Sequence, residues 1–379
     1  MSNYTKPQGS FISFMSNMVK EKGGINLAQG IPGFAPPQAL LDELKAITHE
    51  PIHQYAPGNG NRDLVNQLVE KYRPEQTLNQ DELLITQGGT EALSLLFIYL
   101  KNLIQQPFAA MAFQPVYESY RNLPQIFNTP FVEYTLPTSG EIDFEDIEKR
   151  IIKDHVRVIF LATPGNPLGR IWSKAEMEAL MHMCERHNVY LILDAVYREL
   201  YFEKPPYLTN NYTHPQLFYT NSFSKLFSIT GWRIGYLICH QEHMAKIRAI
   251  HDYTGLCAPS LQQQALANFL AKNQQGKNYV EWLRQQLTSS FNRLREALET
   301  YHFQIPEVKG GYFIWAKLPE EYTDGFDFTM RLYEKERVAV IPGEHFSPET
   351  KNYIRLNIAH PLTDIEKATR HFKNFLQQH

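Results

Sequence analysis

Between residues 80 and 240, short apolar runs rich in β-formers alternate with stretches of helical periodicity, and this alternation restricts the chain more than any other feature. The runs are Leu83 to Thr86, Ala109 to Phe113, Phe131 to Leu136, Val156 to Thr163, Val189 to Ala195, Leu217 to Phe223 and Ile234 to Cys239. Several are almost continuously apolar, as a strand must be when both of its faces are buried. Thr90 to Lys101 reads as a buried helix directly after the first run. Ser173-Lys174-Ala175-Glu176 has the spacing of a capping box and predicts a helix through His187. The alternation predicts a three-layer α/β domain with a largely parallel sheet.

Beyond about residue 241 the texture changes. His243 to Asp252, Leu261 to Asn273 and Asn278 to Tyr301 read as helices, followed by short strands around Gly311 to Lys317 and Tyr353 to Ile358. Thr363-Asp364-Ile365-Glu366 reads as a second capping box opening a C-terminal helix. The C-terminal third therefore reads as a smaller α+β domain, and 379 residues suit two domains.

A formal charge of −3 offers nothing to attract nucleic acid or an anionic membrane. The N-terminus lacks the basic start and apolar core of a signal peptide, and no apolar run approaches the roughly 20 residues that span a bilayer. Three widely spaced cysteines, Cys184, Cys239 and Cys257, argue against a disulfide framework and for a reducing compartment. The expectation is a soluble cytoplasmic enzyme. The histidines show no metal-ligand spacing, and His182 and His187 read as surface or packing residues.

Several positions carry chemistry. Lys225 sits between Ser222, Ser224 and Arg233, with glycines at 231 and 235. A lysine that forms a Schiff base needs an anchored partner, and a phosphate on that partner needs hydroxyl and guanidinium donors close by. A surface Ser/Lys loop is the plain alternative. Gly88-Gly89-Thr90 joins the first strand to a helix, where backbone N–H groups make an anion site and glycine allows close approach; it can also be an ordinary turn. Asp194 ends a buried strand, where open α/β sheets bind ligands, or simply caps the next turn. Asn166 lies in an Asn-Pro turn. Arg355 occupies an apolar strand, where an uncompensated charge is costly, so it awaits an anionic ligand or a structural ion pair.

Taken together, these segments resemble the lysine signature and companion motifs of the class I/II, fold-type I aminotransferases, which use pyridoxal 5′-phosphate (PLP). The resemblance extends over nearly the whole chain. It implies a mostly parallel seven-stranded sheet, a large PLP-binding domain over residues 41–275 and a discontinuous small domain from 1–40 and 276–379. It also implies that Lys225 holds PLP as an internal aldimine and then moves the proton. Asp194 would pair with the pyridine nitrogen, and Tyr197 and Asn166 with the 3′-oxygen. Gly89, Thr90, Ser222, Ser224 and Arg233 would bind the phosphate, although many relatives have glycine where Ser224 stands. Tyr117, in Pro115-Val116-Tyr117-Glu118-Ser119-Tyr120, would stack on the ring, unless it packs in the core.

Arg355 would bind the substrate carboxylate, and the backbone around Gly30, in Asn26 to Phe34, would close over the substrate. Tyr55, in His53 to Gly58, would reach the phosphate of the neighbouring subunit in a homodimer; the alternative is packing within its own chain. Among family branches, the Gly30 segment, Tyr55-Ala56-Pro57 and the Tyr117 segment are most similar to the methionine, kynurenine and glutamine aminotransferase-like group. That points to transfer from an L-amino acid (methionine, glutamine or aromatic) to a 2-oxo acid. A PLP-dependent lyase or ACC-synthase-like enzyme would share Lys225, Asp194 and Arg355, because these residues bind rather than choose the bond. A PLP-binding regulator would carry an N-terminal DNA-binding domain, whereas here the cofactor fold begins within the first few dozen residues.

Overall fold

The computed structural model describes residues 4–136 and 141–377. Their strands, in chain order, are β1 (Ile25–Asn26), β2 (Leu83–Thr86), β3 (Ala109–Gln114), β4 (Phe131–Thr135), β5 (Val156–Ala162) and β6 (Tyr190–Asp194). β7 (Leu217–Ser222), β8 (Gly235–Ile238), β9 (Phe313–Lys317), β10 (Val338–Ala339), β11 (Ile341–Pro342) and β12 (Tyr353–Asn357) follow. Each of the seven apolar runs becomes a strand whose ends lie within one residue of the expected ones. They form one sheet in the order β2-β8-β7-β6-β5-β3-β4. Only β8 runs against its neighbours β2 and β7; the other pairs are parallel.

The apolar runs are continuous because this sheet is covered on both sides. Ile192, Phe218 and Leu237 point into a cluster with Leu93, Leu96 and Phe97 of the helix Gly89–Leu103. Their strand neighbours Leu191, Leu193, Tyr219 and Ile238 point the other way, into the larger core. That is the period of two made visible: successive side chains feed opposite layers.

The later elements form a separate antiparallel sheet, β11-β12-β9, with Arg355 opposite Trp315 and Ile341. β1 pairs in parallel with β10, Ile25 opposite Val338, so the N-terminal segment is stitched to C-terminal elements. No helix among the described residues is long and apolar enough to cross a membrane.

The two expected capping boxes fare differently. Ser173 Oγ accepts from Glu176 N at 3.2 Å while Glu176 Oε2 accepts from Ser173 N at 2.7 Å, opening the helix Lys174–His187. The C-terminal helix instead begins at Leu362, with the Pro361 carbonyl accepting from Asp364 N and Ile365 N at 2.9 and 3.2 Å. Thr363 therefore lies inside the first turn rather than capping it. Proline's fixed φ and missing N–H suit the chain entering a helix, so the start falls two residues earlier.

Candidate active site

Sheet register brings the chemistry into one line. Asp194 lies opposite Ala162 on β5 and Thr220 on β7; Ser222 lies opposite Gly235 on β8, which in turn faces Thr86 on β2. A cavity of about 370 Å³ opens at these strand ends. Gly30, Gly89, Thr90, Tyr117, Asn166, Asp194, Tyr197, Ser222, Ser224, Lys225, Arg233 and Arg355 all line it. Tyr55 does not: it is 83% exposed, on the outside of this chain.

One end of the cavity is built for an anion. The helix Gly89–Leu103 starts there, with Gly88 at φ 81° as its N-cap, so its first N–H groups point toward the cavity. Gly88 must be glycine twice over: its φ is left-handed, and a Cβ would lie 2.4 Å from Arg233 Nη2. Arg233 is held above the turn by Gln87 O at 3.1 Å and Thr230 O at 2.9 Å. Ser222 Oγ accepts from Ser224 N at 3.1 Å and lies 2.9 Å from Ser224 Oγ, so both hydroxyls are fixed beside it. Gly235 lets β8 approach, since a Cβ there would sit 2.5 Å from the Gly88 backbone.

Lys225 occupies the middle. Its backbone carbonyl accepts from the Tyr312 hydroxyl, and its Nζ donates to Gly30 O at 2.6 Å. Burial, then the Arg355 and Arg233 charges, lower its pKa to about 8, against the opposing pull of Asp194. An amine in that range is partly neutral near physiological pH and is a competent nucleophile and base. Asp194 is buried at 6% exposure, and burial raises its pKa. Tyr120 OH donates to its Oδ2 at 2.7 Å and Val196 N to its Oδ1 at 3.2 Å, and both bonds favour the carboxylate.

The far end is a clamp around Arg355, which is 1% exposed. Nη1 donates to Asn166 Oδ1 at 3.0 Å and Nη2 to Ala28 O at 2.6 Å. The guanidinium lies over Phe313 at 4.1 Å and Phe346 at 4.8 Å. Burial lowers its pKa to about 10. Gly30 sits against this clamp because a Cβ would meet the Phe313 ring at 2.8 Å. Tyr197 packs edgewise on Phe313, ring centroids 5.9 Å apart.

Tyr120, Phe313, Phe346 and Glu118 also belong to the site, and the sequence alone does not single them out. Tyr120 follows Tyr117 by three residues at the start of a helix, the spacing that puts two side chains on one face, and that was the available signal. Phe313 and Phe346 had none, being two among 23 phenylalanines. Glu118 lines the cavity mouth, where its Oε1 accepts from Ser10 Oγ at 3.1 Å.

The donor set fits a PLP molecule with an amino acid. Three cations (Lys225, Arg233, Arg355) face two carboxylates (Asp194, Glu118), leaving a positive excess suited to a phosphate and a carboxylate. Arg355 Nε is buried and has no partner among the described residues, a donor that a carboxylate would satisfy.

Comparison with known proteins agrees. Residues 22–372 match the family described as aminotransferase class I and II. A probable aspartate aminotransferase of Methanocaldococcus jannaschii is 28% identical over 353 residues, covering 91% of each chain. The methionine aminotransferase of Escherichia coli is 28% identical over 357 residues, 91% of this chain and 90% of that one. A probable kynurenine–oxoglutarate transaminase of Saccharomyces cerevisiae is 28% identical over 396 residues, 92% of this chain and 86% of that one. Among solved structures, a Thermus thermophilus aspartate aminotransferase mutant superposes with a TM-score of 0.87 at 23% identity, over 98% of this chain and 97% of that one. A likeness at that identity speaks for the fold, and the fold is the one in which a half-buried lysine, a strand-end aspartate and an anion cup meet. With the family match running through all three, this chain belongs to the class I and II aminotransferases, enzymes that use pyridoxal 5′-phosphate.

Proposed function

We propose that this aminotransferase moves the amino group of an L-amino acid without a second carboxylate, such as methionine, glutamine or an aromatic residue, to a 2-oxo acid. The observation that carries the reading is Lys225: one half-buried amine facing the cavity, lowered toward neutrality, between a carboxylate and an anion cup. Gly89, Thr90, Ser222, Ser224 and Arg233 would hold the cofactor phosphate, Tyr117 would cover the ring, and Tyr197 and Asn166 would bond its 3′-oxygen. Asp194 keeps its negative charge against the ring nitrogen. When bound, PLP supplies a protonated ring that draws electrons from the bonds at the substrate α-carbon.

Lys225 Nζ would hold the cofactor and, once freed by the incoming amine, would carry the proton from the substrate α-carbon to the cofactor. Asn166 and Arg355 orient the substrate carboxylate, and the Gly30 segment excludes water above it. Support for a neutral side chain comes from the cavity wall, where Ile12, Ile31, Leu93 and Phe313 join Glu118. Each of the three lining cations already has a task, which leaves none for a second carboxylate.

The same reading divides the chain into a large domain, 41–275, and a small one from 1–40 and 276–379, supported by the β1–β10 pairing. It makes the active species a cytoplasmic homodimer in which the exposed Tyr55 reaches the neighbouring phosphate. The test is a panel of amino donors added to PLP-loaded protein without acceptor, followed by the visible absorbance. Methionine, glutamine or an aromatic donor is expected to convert the cofactor once per site and release one equivalent of 2-oxo acid. Continuous turnover with no acceptor would mark a lyase instead.

A further inference from the structure

We propose that Tyr120 is a positioning residue for this reaction, fixing the Asp194 carboxylate so that its free lone pairs face the ring nitrogen. The inference rests on the reading above that Asp194 meets that nitrogen. Tyr120 is 5% exposed and its hydroxyl donates to Asp194 Oδ2 at 2.7 Å. Its ring cannot swing away. It stacks on Phe160, centroids 5.2 Å apart and 10° between planes, and meets Tyr117 edge-on at 5.4 Å. Phe160 is itself on β5, the strand next to Asp194. One aromatic column therefore runs from the sheet through Tyr120 to the ring-covering Tyr117.

The carboxylate has about four acceptor positions. One is taken by Tyr120 and one by Val196 N at 3.2 Å, on different oxygens, which sets the plane of the group. Around the pair, Lys225 is the nearby cation, while Tyr117 and Tyr197 are neutral phenols kept protonated by burial. The Tyr120 phenol is likewise raised by burial and by Asp194, so it remains the donor. Its loss leaves a buried carboxylate with one fewer hydrogen bond, a stronger hold on a proton and freedom to rotate. The shared proton then moves from the ring nitrogen toward Asp194.

Tyr120→Phe keeps the aromatic column and removes only the hydroxyl. It is expected to lower kcat of the amino-donor half-reaction about ten- to a hundredfold, the range for a hydrogen bond to a charged group, with KM changed less than about threefold. At the same pH, the 15N resonance of ring-labelled PLP on the protein should move toward that of a neutral pyridine. A site-specific 3-fluorotyrosine at position 120, a stronger donor of nearly the same shape, should move the resonance in the opposite sense. It serves also where the phenylalanine variant does not fold. An unmoved resonance in either variant overturns the proposal, as does a Tyr120→Phe enzyme with full kcat. The labelled Asp194→Asn enzyme separates the two readings. If it too keeps the protonated resonance, Asp194 does not face the ring nitrogen and the underlying assignment fails; if only the Tyr120 variants keep it, the inference alone fails.

Discussion

The two ends of the cavity, which the proposed reading gives to a phosphate and a carboxylate, are built on opposite plans. The phosphate end is assembled from short local turns. Gly88-Gly89-Thr90 and Ser222 to Arg233 bring backbone N–H groups, hydroxyls and a half-buried guanidinium that already rests on Gln87 and Thr230 carbonyls. The carboxylate end is a single buried guanidinium between Phe313 and Phe346, tied to Asn166 and Ala28. Its pieces come from four distant stretches of chain. The first plan spreads charge over many dipoles and suits a resident group held through every turnover. The second puts one rigid fork in a dry place, where binding and release of a carboxylate change the most electrostatic energy.

If that division of labour is right, variants sort by end. The largest effect lies between the ends, where neither can compensate. Lys225→Ala is expected to lose the visible band of the loaded protein and to lower turnover more than about a thousandfold, since attachment and proton transfer go together. Full turnover with the band intact would break the assignment. Next is the amine's titration in cofactor-free protein. Burial and two cations disfavour the ammonium, so PLP capture should rise with pH through a midpoint near 8. At that pH an ordinary lysine would be neutral about a hundredfold less often. A midpoint near the ordinary lysine value would mean that Lys225 is solvated.

A paired comparison then tests the ends against each other. Arg355→Lys, losing the fork, should raise KM for the amino donor about thirtyfold and leave PLP retention unchanged. Arg233→Lys should loosen PLP by about tenfold and leave KM unchanged once the protein is saturated. Equal shifts in both parameters for both variants would dissolve the distinction. No larger is the effect expected of Tyr55→Phe, which removes one hydroxyl donated from the neighbouring chain and should weaken PLP retention by about tenfold. Sedimentation of a fully active monomer would remove the premise.

The same contrast explains what could be read from residues alone. Six of the seven strands are buried along almost their whole length and show as largely apolar runs, and the half-buried edge strand β4 also matches its run within one residue. The placement of Gly89, Thr90, Ser222, Ser224 and Arg233 around one cavity is equally legible, because Gly-Gly turns and a Ser-x-Ser-Lys loop carry their geometry within a few residues. Arg355 was visible as a charge in an apolar strand, but its aromatic sandwich was not, because Phe313 and Phe346 meet only after β9 and β12 pair. Tyr120 escaped notice because its partner is 74 residues away. Thr363 does not cap the C-terminal helix for a local reason: the Pro361 carbonyl already accepts from the first turn, so the helix opens ahead of it.

The proposed chemistry requires one covalent bond, between the cofactor and Lys225. Borohydride reduction of the PLP-loaded protein, followed by digestion and mass spectrometry, reads it directly. A single pyridoxyl adduct is expected, on the peptide containing Lys225. An adduct on any other lysine, with Lys225 unmodified, would contradict it.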